Sequence, residues 1–215
     1  TMPAERRREI VEAARARDLL ILEDDVYGFL VERPPPLLAA LAPERTALIG
    51  SVSKFMAPGL RIGWIAAPAA RAADVASAVR GLAWMASPLL AEIATKTLAS
   101  PAGEGLVAAQ RAEAAARMAI VKRQLGRWLP PGTPDVAMHA WLPLPEPWRA
   151  DQFVSEAEAR RIAVTPAGAF AVGRGRAVHA VRFGLGAATQ ERLDAGMARL
   201  AALLAAPPRA GAAVV

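Results

Sequence analysis

SVSKFMAPGLRIGW, residues 51–64, sets a lysine in a serine- and glycine-containing turn between two apolar runs, with an arginine seven positions on. The chain holds 26 lysines and arginines, of which only Lys54, Lys96 and Lys122 are lysine. A lysine kept in such a turn, in a chain that otherwise uses arginine, points to amine chemistry that a guanidinium cannot supply. The run before the turn, TALIG (46–50), reads as a buried strand, and the run after it, IGWIAA (62–67), as another. About ten residues join them, whereas a parallel crossover takes a dozen or more. The later strand is therefore antiparallel to the earlier one, or not its neighbour. Upstream, LLIL (19–22) is a short unbroken apolar run, as suits a strand buried on both faces of a parallel α/β sheet. It ends in the polar cluster Glu23-Asp24-Asp25, and a proline-rich loop follows.

Around this centre the chain reads as alternating helices and strands. A helix is expected over 3–16, with Pro3 in its first turn and Glu5 near its positive end. Helices are expected over 69–82 and 87–99, broken near Ser87-Pro88. A long helix of Ala, Arg, Glu and Leu covers 104–128. After WLPPGTPD the pattern becomes that of a compact α+β unit. It has strands at 136–144, 162–166 and 178–185, a helix at 150–160 and a closing helix at 189–205. The last helix places Leu193, Met197, Leu200 and Leu204 on one face. These segments group as 1–103, a linking helix 104–128, a second domain 129–207 and a disordered tail 208–215.

Composition excludes several classes. The 215 residues include no cysteine, so disulfides and thiolate metal sites are ruled out. His139 and His179 are isolated, and no metal site is expected. No apolar run reaches the roughly 18 residues that a membrane span needs. Residues 5–9, ERRRE, are charged where a signal peptide would be apolar, and a cytoplasmic protein is expected. The net charge of +6 comes from arginines scattered at helical spacing among Ala, Glu and Leu, which reads as solvated helix faces rather than a nucleic-acid patch. The five tryptophans read as packing in the core and at the joint between domains.

Ligands of open α/β sheets bind beyond the carboxyl ends of the strands. Glu23-Asp24-Asp25-Val26-Tyr27 follows one strand and Ser51-Val52-Ser53-Lys54 the next, and Arg61 returns at the start of the third. A lysine amine forms a Schiff base with a carbonyl. Two hydroxyls and a guanidinium suit a phosphate dianion. A carboxylate suits a protonated ring nitrogen, and a phenol suits an acidic ring oxygen. Pyridoxal 5′-phosphate carries all four complementary groups.

With these motifs in hand, the chain resembles the fold-type I pyridoxal-phosphate enzymes, the aspartate aminotransferase superfamily. More closely, it resembles the branch of the aminoadipate- and kynurenine-type aminotransferases and the aminotransferase-like domains of MocR-type regulators. ILEDDVYGFL (21–30), SVSKFMAPGLRIGW (51–64) and AVRFGLGAA (180–188) carry the resemblance. It implies that Lys54 is the Schiff-base lysine, and that Asp24, chosen over Asp25 by the D-x-x-Y spacing, pairs with the ring nitrogen. It further implies that Tyr27 bonds the ring oxygen, that Ser51, Ser53 and Arg61 bind phosphate, and that Arg182 binds the substrate α-carboxylate. The implied fold is the C-terminal part of the family's large cofactor domain, a mostly parallel sheet with an antiparallel strand, plus a small α+β domain. The family's upstream cofactor contacts find no match here, so the chain reads as a fragment. The implied activity is amino-group transfer between an amino acid and a 2-oxo acid, in a homodimer. The alternative is an effector-sensing domain of a MocR/GntR-type regulator, which would touch DNA through an upstream winged helix–turn–helix.

Overall fold

The computed structural model describes residues 2–173 and 178–206. The tail expected over 208–215 lies outside them. The chain divides into two compact units at Arg111–Ala112.

The first unit opens with α1 (Ala4–Ala16) and β1 (Ile21–Asp24). A short helix α2 (Leu38–Leu41) leads to β2 (Thr46–Ser51), which pairs parallel with β1. β3 (Gly63–Ala66) returns antiparallel on the other edge of β2, Ser51 facing Gly63 and Gly50 facing Trp64. The mixed order β1-β2-β3 is the first of the two arrangements that the short link between the second and third strands left open, an antiparallel neighbour.

One face of this sheet is covered. Val11 of α1, Leu38 of α2 and Ala42 pack with Ile21 beneath it. Glu23 points the same way and is buried. Its carboxylate accepts hydrogen bonds from Arg7 at 2.7 Å and from the backbone N–H groups of Leu38 and Ala39 at 3.0 and 2.9 Å. A buried carboxylate is tolerated when it is paired and hydrogen-bonded, and this one also satisfies free N–H groups at the start of α2.

The other face is open in this chain, which corrects the expectation of strands buried on both sides. Leu22 is 74% exposed, and Ile65 of β3, which the register sets on the same face, is nearly half exposed. The helices that follow, α3 (Ala72–Ala83) and α4 (Pro88–Leu98), repeat the pattern: α3 has no buried residue, and α4 buries only Ala94. α5 (Pro101–Leu125) then runs through the division.

The second unit has a continuous core. β4 (His139–Pro143) and β5 (Thr165–Pro166) flank β6 (Ala180–Gly184), both antiparallel to it. Ala140, Leu142, Val181 and Phe183 point inward, where they meet Met118 and Leu125 of α5 and Phe153 of α6 (Ala150–Ala159). α7 (Gln190–Ala205) closes the layer with Leu193, Met197, Leu200 and Leu204 buried on one face, as its spacing predicts. The tryptophans divide against expectation. Trp148 is buried and Trp128 packs on the core edge, whereas Trp84 is 74% exposed and Trp64 and Trp141 are well exposed.

Candidate active site

The parallel pairing of β1 and β2 brings their carboxyl ends to one edge. The register sets Asp24 beside Ile49, and Asp25 N–H donates to Ile49 O at 3.0 Å. The acidic turn and the serine–lysine turn thus leave the sheet together.

Each turn is anchored by its apolar residues so that its polar ones face away. In the second turn Val52 and Phe55 are buried against Ala94, with Met56 N–H donating to Val52 O at 2.9 Å. Lys54, between them, is exposed. In the first turn Phe29 packs against Phe55 with ring centroids 5.4 Å apart, and Arg111 Nε donates to Phe29 O. These contacts clasp the two turns. The result is that Lys54 Nζ lies 5.5 Å from the centroid of the Tyr27 ring, a distance at which a cation is held over a π face.

Ser51 Oγ accepts the Ser53 N–H at 3.0 Å, and it lies 2.9 Å from Ser53 Oγ and 3.0 Å from Ile62 O. The hydroxyls therefore share one corner, where β3 begins. Arg61 stands there in the left-handed conformation, φ 53°. Its guanidinium donates to Pro58 O at 3.5 Å and has no carboxylate partner among the described residues. Ser51, Ser53 and Arg61 form the polar end of an open groove of about 770 Å³, whose other walls include Trp64, Val79 and Trp84. Asp24, Tyr27 and Lys54 do not line that groove. Arg182 belongs to the second unit, on the outward face of β6.

The acidic residues separate by orientation. Glu23 faces α2 and is fully engaged. Asp24 is exposed, and its Oδ1 accepts one backbone N–H, from Val26 at 3.2 Å. Asp25 folds back over its own turn: a Cβ at Gly28 would lie 2.0 Å from its Oδ2. Burial first, then the neighbouring Glu23 and Asp24 charges, raise its pKa against the opposing pull of Arg7. Of the three, Asp24 has the most open carboxylate.

An exposed amine held on a phenol, paired hydroxyls, a guanidinium without a carboxylate and an open carboxylate make a donor set that fits the groups of pyridoxal phosphate. No group of three His, Cys, Asp or Glu side chains able to hold a metal occurs among the described residues. No helix there is long and apolar enough to cross a membrane. The sequence reading missed the Phe29–Phe55 clasp and Arg111. Both phenylalanines stand two positions from Tyr27 or next to Lys54, an adjacency that carries no signal until the turns are folded.

The family model described as aminotransferase class I and II matches residues 1–200. The chain is 32% identical over 204 residues to the helix–turn–helix-type transcriptional regulator YdeF of Bacillus subtilis, covering 94% of this chain and 44% of that protein. It is 43% identical over 70 residues to aromatic-amino-acid aminotransferase 1 of Thermococcus litoralis, 31% of this chain and 17% of that one. Its fold matches that of LysN, the α-aminoadipate aminotransferase of Thermus thermophilus solved with N-(5′-phosphopyridoxyl)-L-leucine. That match has a TM-score of 0.82 at 23% identity, over 94% of this chain and 54% of LysN. The chain thus spans about half the length of the relatives it matches along most of its length.

Proposed function

The chain belongs to the class I and II aminotransferases, and from that premise we propose that it forms the lysine-bearing half of a pyridoxal-phosphate site that moves an amino group between an amino acid and a 2-oxo acid. The observation that carries this reading is the Lys54 amine, exposed, held over Tyr27 and set at the carboxyl end of a parallel strand pair. Residues 1–103 are on this view part of the large cofactor domain, 104–128 the linking helix and 129–207 the small domain. The assembly is a cytoplasmic homodimer.

Pyridoxal phosphate, when bound, supplies an aldehyde for the amine and a ring that accepts electrons from the substrate Cα. The residues of this chain do the rest. The hydroxyls of Ser51 and Ser53 and the Arg61 guanidinium bind the phosphate. The Asp24 carboxylate keeps a proton on the ring nitrogen, and the Tyr27 phenol donates to the ring oxygen. Arg182 takes the substrate α-carboxylate in a two-pronged hydrogen bond. Lys54 Nζ, as a free amine, removes the Cα proton and carries it onward as general base and acid.

Borohydride reduction of the full-length protein with pyridoxal phosphate tests this. Peptide mapping should find the cofactor on Lys54, in a tryptic peptide 46–61 left uncut at position 54. Lys54→Ala should lose both the label and amino-group transfer. A label that persists in Lys54→Ala, or sits on Lys96 or Lys122, would overturn the assignment.

The match to YdeF along 94% of the chain favours a second reading, the effector-sensing domain of a regulator that reaches DNA through an upstream domain. The two part on turnover. A regulator would bind cofactor and an amino compound at Lys54 yet form no 2-oxo acid, and its DNA affinity would change with that ligand.

A further inference from the structure

Arg182 sits in register with Trp141 on one neighbouring strand and Thr165 on the other, so all three project from the outward face of the second sheet. The Arg182 Cζ lies 4.4 Å from the centroid of the Phe170 ring. Phe170 in turn packs against Trp141, ring centroids 6.4 Å apart and inclined at 59°. Both aromatics are substantially exposed, at 43% and 38%, and neither belongs to the core cluster. Among the described residues Arg182 has no carboxylate partner. Arg117 in the same unit is the contrast: it is tied to Glu113 at 2.6 Å and to the Leu185 and Ala188 carbonyls. Among the described residues Arg182 is held by a ring face and by no acceptor.

Stacking occupies the flat side of a guanidinium and leaves its in-plane N–H fork free, the edge that a carboxylate grips with two parallel hydrogen bonds. An acidic residue could also fix the arginine, but it would compete for that edge and cancel its charge. We propose that Phe170, buttressed by Trp141, is a positioning residue: it fixes Arg182 by its π face so that the guanidinium edge stays presented to a ligand carboxylate. The inference rests on the reading of Arg182 as the α-carboxylate partner.

The test uses the full-length protein loaded with pyridoxal phosphate and follows the cofactor absorbance during titration. The probes are L-leucine and 3-methylbutylamine, the same molecule without its carboxylate. Phe170→Leu, which keeps an apolar side chain without a π face, should weaken the L-leucine response about five- to tenfold, in line with loss of one cation–π contact. The amine response should stay within twofold, roughly the scatter expected of an uncoupled site. Phe170→Tyr, which restores the ring, should return the L-leucine response to the parent value. A merely structural role would shift both probes together. If Phe170→Leu does not fold, Phe170→Met takes its place. Equal responses of parent and variant to L-leucine, or equal weakening for both probes, would overturn the role of Phe170 while leaving Arg182 untouched. A parent protein that binds the amine as well as the amino acid would sink the Arg182 reading, and this inference with it.

Discussion

Three consecutive carboxylates, Glu23, Asp24 and Asp25, meet three different fates within one strand end. Alternation along β1 sends Glu23 under the sheet and Asp24 to the other face. Asp25, past the strand, is left over Gly28 close to two other acids. Its pKa is raised, so folding favours its protonated form. The stability this brings is full below the ordinary value of 3.8 and is lost as pH rises through the raised one. Asp25→Asn should therefore stabilise the full-length protein near neutral pH, and the gain should vanish below about pH 4. Thermal unfolding at both pH values measures it, and a variant less stable at neutral pH would refute the claim. The D-x-x-Y spacing singled out Asp24 from sequence, and its carboxylate is the most exposed of the three. Nothing in the sequence marked Glu23 as an anchor, because its partners Arg7, Leu38 and Ala39 are brought to it only by the fold.

At the scale of elements, the strands and the long helices were legible from apolar runs and their periods, but the short α2 and several strand starts were not. The run at 19–22 becomes a strand only from Ile21, and that at 162–166 only at Thr165–Pro166. The cause is the same in both. α1 ends with Asp18 left-handed at φ 48°, its N–H and that of Leu19 returning to Arg15 O and Ala14 O. α6 ends with Arg161 left-handed at φ 60°, its N–H and that of Ile162 returning to Glu158 O and Ala157 O. Each helix end claims the first apolar residue of the next run. Such ends ordinarily use glycine, and its absence hid them. Replacing Arg161 by Gly should relieve the strained conformation and stabilise the second unit by about 1 kcal/mol. Urea unfolding would read this as a higher midpoint at unchanged slope, and a lower midpoint would show that the Arg161 side chain matters more than its backbone.

For the molecule as a whole, the two units differ in how completely each buries itself. The second has one core cluster running from Met118 to Leu204. The first has two small clusters and an open apolar sheet face with Leu22 and Ile65 exposed, and Trp84 and Leu89 are exposed in the segments that follow. Apolar composition told that these residues seek cover, but period and spacing could not say which faces this chain covers itself. Residues 112–206 expressed alone should therefore melt cooperatively, whereas 1–111 alone should bind hydrophobic dyes and lack a sharp transition. A sharp transition in 1–111 alone would show that its open face needs nothing further. Across all 215 residues Tyr27 is the only tyrosine, and the Lys54 amine stands 5.5 Å from its ring. Carbon-13 labelling of tyrosine would thus place a single resonance from this chain beside that nitrogen, so the charge on one amine can be followed by magnetic resonance without altering a residue.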